Sequence, residues 1–129
     1  MSAMSDFLEN KILDHITGTT AYTKPSAVYL GLSTGDFTDT GSGSSELTGN
    51  NYSRVSVAFD AAASGATQNT SSIDMPAASG NWGTVSHWAL FDAATSGNAL
   101  ITGAFSSSKT IETNDVLRIA AGDLDLTAA

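Results

Sequence analysis

The sequence predicts a mainly β domain, a sandwich of antiparallel strands with one amphipathic helix at its N-terminal end. Three observations predict it. Short runs rich in Val, Ile, Leu and aromatic residues recur at about ten- to fifteen-residue spacing, separated by segments of Gly, Ser, Thr, Asn and Asp. The stretch Gly83–Phe105 carries apolar bulk on both faces of an extended chain and reverses through Ala93–Asn98. Helical periodicity is confined to the residues before Gly18.

The first element is a helix over residues 4–17. Phe7, Leu8, Ile12, Leu13 and Ile16 fall on one broad face, and Glu9, Lys11 and Asp14 lie largely elsewhere. Ser5 or Asp6 caps its start, Asp6 and Glu9 have capping-box spacing, and Gly18 is a natural stop. A helix of about three turns is marginal alone, so its apolar face needs cover. The domain's own sheet is the default cover; a neighbouring subunit is the other.

The β region is expected over 27–126. In Ala27–Leu32, Val28, Leu30 and Leu32 share one side and Tyr29 and Gly31 the other, with Gly31 marking a bulge or a close backbone approach. Residues 33–51 form an unusually long polar connection, expected to be a contact surface or a mobile tip that Phe37 and Leu47 anchor. Tyr52–Phe59 alternates cleanly, with Val55, Val57 and Phe59 inward and Arg54 and Ser56 outward. Ile73–Met75 is a short strand ended by Pro76. In the central hairpin, Val85, His87, Ala89 and Phe91 are expected on one face and Trp88 and Leu90 on the other; Ala93–Asn98, with Gly97 and Asn98 tolerating positive φ, is its turn. Lys109–Ile111, Val116–Ala120 and Asp123–Leu126 complete the strands, and jelly-roll and immunoglobulin-like orders both remain open.

The whole-chain numbers narrow the function classes. A chain of 129 residues suits one domain, 1–129, with a single core from its 41% apolar residues. Without cysteine it has neither disulfides nor thiolate metal ligands. Thirteen acidic residues against five scattered basic ones, Lys11, Lys24, Arg54, Lys109 and Arg118, give a net charge of −8, a poor match to nucleic-acid phosphates. No apolar run is long enough to span a membrane. The N-terminus lacks the basic start and apolar run of a secretory signal, so the chain is expected to stay in the cytosol unless it leaves within a larger particle.

Groups for catalysis are sparse. A Ser-His-acid site is conceivable from His87, Asp92 and one of many serines, but no Gly-x-Ser-x-Gly elbow occurs, and a histidine hydrogen-bonded within a sheet is the simpler reading. Asp36, Asp39 and Glu46 offer oxygens to a cation without the regular calcium-loop pattern, and read as solvated carboxylates. The glycine-bearing segments 31–35 and 41–43 have no phosphate-loop lysine and read as turns. The inventory predicts no catalytic, cofactor or metal residue.

Five segments in order, Leu8–His15, Thr20–Thr34, Tyr52–Val55, Gly80–Ala94 and Ala120–Leu124, resemble a family of small virion proteins of tailed bacteriophages, commonly labelled tail fibre or virion structural proteins. The resemblance covers nearly the full chain and brings no catalytic motif. It implies a non-enzymatic structural protein, assembled in the bacterial host cytoplasm and carried in the virion. Its implied partners are the major capsid protein or other virion proteins and further copies of itself, as a dimer or trimer; nucleic acid, membrane, cofactor and small-molecule substrate are not expected. Two virion roles compete. Without heptads or a shaft repeat, the sequence favours capsid decoration, a cement protein on the outer surface of the head that stabilises the shell. The alternative is a tail fibre, tail-tip or baseplate accessory protein in contact with the host. A more distant reading, a carbohydrate-binding module stacking sugars on Trp82, Trp88, Tyr29 and Tyr52, competes with their alternation among core residues. The candidate interface residues are Phe7, Leu8, Ile12, Leu13, Phe37 and Leu47.

Overall fold

A computed structural model describes residues 2–39 and 46–128, and within them the chain is mainly β with one N-terminal helix. Its centre is the predicted hairpin: β6 (Gly83–Phe91) pairs with β7 (Ala99–Ile111), and Ser96 and Gly97 in the turn both take positive φ. Strand β2 (Val28–Ser33) adds to β6, β3 (Val55–Val57) adds to β2, and β1 (Ser2–Met4) adds to β7. The result is a five-stranded antiparallel sheet of order β1-β7-β6-β2-β3.

The opposing layer consists of two ribbons. One pairs β4 (Ala66–Gln68) with β9 (Asp125–Thr127), the other β5 (Ile73–Asp74) with β8 (Arg118–Ile119). Ile73, Ile119 and Leu126 bring ribbon side chains into one buried cluster with Leu30, Leu32, Trp88 and Leu90 of the sheet. β9 also lies beside β1, and β5 beside β3, so the ribbons flank both edges of the large sheet. A smaller cluster, Phe37, Ala89, Phe91 and Ala99, covers the sheet's other face. Both faces of the hairpin are therefore covered, as its two-sided apolar pattern requires.

Several elements depart from the sequence reading. Val85 was expected beside Ala89 and Phe91, yet it joins Trp88 and Leu90 in the main cluster. The cause is a pairing irregularity: β6 takes two steps from Val85 to His87 where β7 takes five from Lys109 to Ala104, and strict alternation breaks there. β7 also continues unbroken through the serines to Ile111, past the expected end at Phe105. Strand β1 carries no periodicity that three residues can display, and only the waiting edge of β7 makes it a strand.

The helix, α1 (Asp6–Ile16), is shorter than the expected 4–17. Ser5 is its N-cap, its hydroxyl accepting from the Leu8 N–H, and Gly18 follows its end with φ 78°. The helix is fully covered only at Leu8; Phe7 and Ile12 are half-buried, and Leu13 and Ile16 remain 55% and 69% exposed. The sheet thus covers one edge of the apolar face and leaves the other open.

Candidate functional site

Two surfaces are organised by the fold: the long connection after β2, and the open side of α1. The connection is held by a hub at Arg54. Its guanidinium donates from Nε and Nη2 to the two carboxylate oxygens of Glu46, both at 2.8 Å, and from Nη1 to the carbonyls of Ala93 and Ser96 at 3.0 and 2.8 Å. It also stacks on Phe91, its central carbon 3.5 Å from the ring centroid. Arg54 is expected to point outward, and it does point away from the main core, but the second face is not solvent: the Arg54 side chain is 9% exposed and Glu46 21%. The hub therefore ties the end of the long connection to the hairpin turn.

Gly31 makes this arrangement possible. A Cβ at that position would stand 2.8 Å from the Phe91 ring and 2.9 Å from a Glu46 carboxylate oxygen, so the close backbone approach anticipated from the sequence is a real one. Tyr52 completes the hub, its hydroxyl donating to Glu46 at 2.8 Å and accepting from the Leu32 N–H at 2.9 Å. Burial, and then the Glu46 charge, push its phenol well above the ordinary tyrosine range, with the Leu32 N–H and Arg54 opposing. Phe37 and Leu47 are both buried, the anchors they were expected to be. The glycine-bearing segment 41–43 lies outside the described residues.

The candidate interface residues separate into two kinds. Leu8, Phe37 and Leu47 are buried within the chain itself, Phe7 and Ile12 are partly covered, and Leu13 is open together with Ile16. Periodicity shows which helical residues share a side; how much of that side the sheet covers depends on tertiary placement.

The chemistry-bearing residues are occupied elsewhere. Asp92 closes the hairpin turn through the backbone and side chain of Asn98, at 2.7 and 3.1 Å. His87 Nδ1 lies 2.7 Å from the Ser86 hydroxyl, in the wall of an open cleft of about 510 Å³ that Asp36 and Asp39 also line. Asp36 accepts from the Thr38 N–H, and Glu46 is committed to Arg54. Among the described residues, no group of three His, Cys, Asp or Glu side chains is placed to hold a metal ion. Trp82 and Trp88 are buried, and Trp82 donates from its indole to the Asn50 carbonyl at 2.9 Å. Two flat aromatic platforms for sugar rings are therefore absent at these tryptophans.

What this geometry defines is a small β domain that ties the end of a long connection to its hairpin turn and presents a partly open helix. Residues 3–127 match the family model described as Podophage GP4 fiber I protein gp80. With nearly the whole chain covered, the chain belongs to this family of phage fibre-like virion structural proteins. No curated protein matches it.

Proposed function

We propose that the chain is a non-enzymatic component of a phage fibre, carried in the virion and held there by contacts with other virion proteins. The observation that carries this reading is the match over residues 3–127 to a family described as a podophage fibre protein. The architecture supports it: a stacked arginine with four charge-assisted or carbonyl contacts goes into fixing surface segments. The absence of heptads and shaft repeats, which favoured head decoration, describes the shape of this one chain. A compact domain suits the base, collar or tip of a fibre as well as a shell, and the family description favours the fibre.

The test is to locate the chain on purified virions by image reconstruction, with antibody labelling of the intact particle as a second measurement. Copies confined to the fibres are expected. Ordered copies distributed over the head would overturn the fibre reading in favour of decoration.

A further inference from the structure

Helix α1 is fixed below and open above. The Ser5 N–H donates to the Leu100 carbonyl and its hydroxyl to that of Ala99, while the Asp6 N–H donates to the Asp39 carbonyl. Buried Leu8 completes the attachment. On the outer side, Glu9, which the sequence reading places off the apolar face, in fact stands with Ile12, Leu13 and Ile16 at i, i+3, i+4 and i+7 and shares their face. Leu13 and Ile16 are its open apolar residues, Glu9 sits among them exposed, and Asp6 precedes Glu9 by three residues on the same line. Lys11, the helix's lysine, lies on another flank, 5.6 Å from the Phe7 ring centroid.

We propose that this acidic-apolar face is the docking surface for a different protein, one that offers an apolar hollow bordered by Lys or Arg. Charge favours this occupant over a second copy docked face to face. The chain carries −8, and of its five cations Arg54 is committed to Glu46, Arg118 pairs with Asp74, and Lys11 lies over Phe7, which leaves Lys24 and Lys109. Two copies meeting face to face about a two-fold axis would oppose acidic stripes, a like-charge contact that weakens association. A basic-bordered hollow meets Glu9 and Asp6 favourably and removes Leu13 and Ile16 from water. Because backbone hydrogen bonds already fix the helix start, docking orders little that is not ordered beforehand. The proposal rests on the fibre reading only for where on the particle the partner is sought.

The test uses particles assembled without this chain as the probe, with purified chain added back. Leu13→Asp/Ile16→Asp is expected to keep the parent's circular dichroism and melting temperature, since both side chains are already largely in water, and to lose about tenfold or more in binding. Glu9→Lys is expected to weaken binding by a similar factor and Glu9→Gln by less, and the parent's binding is expected to fall with added salt. Undiminished binding by the double variant overturns the proposal. So does a parent that is dimeric in solution and becomes monomeric on the same substitutions, because a second copy is then the occupant. Should the double variant not fold, Glu9→Lys carries the test, and unchanged binding by that variant overturns the proposal. Binding at the head that is lost in the double variant would sink the fibre reading and leave the docking face standing.

Discussion

Two arginine–carboxylate pairs of almost the same geometry hold different parts of this chain. Arg54 grips Glu46 through two nitrogens, and Arg118 grips Asp74 the same way, at 2.6 and 2.9 Å, across the β5–β8 ribbon. Their surroundings separate them. The Arg54–Glu46 side chains are 9% and 21% exposed, beneath a loop and against an aromatic ring; those of Arg118 and Asp74 are 66% and 47% exposed. Removing one partner of the first leaves a charge stranded in a poorly solvated place, whereas water and salt replace either partner of the second. Bond length alone is a poor guide to what an ion pair contributes.

Breaking the covered pair should have the largest effect. Arg54→Ala is expected to cost about 3 kcal/mol in urea unfolding, at the lower end for a buried pair because Glu46 is not fully enclosed. Faster protease cleavage in residues 46–51 should accompany it, since the hub holds that segment. Gly31→Ala tests the same hub without touching a charge: its methyl meets the Phe91 ring and the Glu46 carboxylate, for a cost of about 1–3 kcal/mol.

Tyr52→Phe sharpens the comparison through pH. It removes the hydroxyl that donates to Glu46 and accepts from Leu32, for about 1–2 kcal/mol near neutrality. Above pH 10.0, the ordinary tyrosine value, the unfolded chain loses this proton while the folded chain keeps it, so the parent's stability falls as pH rises. The variant should lack that share of the alkaline decline, read from unfolding midpoints across the alkaline range. The smallest effect belongs to the open pair: Asp74→Asn is expected to shift the neutral-pH midpoint only slightly. The Arg118 hydrogen bond holds the Asp74 carboxyl below its ordinary 3.8, so any contribution is present above that value and fades as pH falls through it. Added salt should erase the remaining difference between parent and variant there.

The sequence was most informative where pattern and tertiary setting agree. The hairpin was legible because both faces of Val85–Phe91 are apolar, and Phe37 and Leu47 stood out as the large apolar groups of a polar connection. The misplaced Val85 shows what alternation cannot see: extra residues on the partner strand rotate it to the opposite face. Alternation places Arg54 outward because it assigns a side and is silent about what covers it. Its burial depends on Glu46, eight positions away across a polar loop, and on Ala93 and Ser96 in a turn still more distant. The helix was legible by period, but the open state of Leu13 and Ile16 was set by where β7 runs.

The ribbons flanking the large sheet have a consequence for crowding. Strand β9 beside β1 and β5 beside β3 lie close to the margins where a foreign strand would add, without pairing to them. On the far sides of the ribbons, β4 and β8 are three and two residues long, while β7 beyond Gly103 keeps one edge without a partner strand among the described residues. Such stubs offer too few free amides and carbonyls to template a growing cross-β stack. Backbone pairing between copies is disfavoured at these margins, and recognition there is left to side chains.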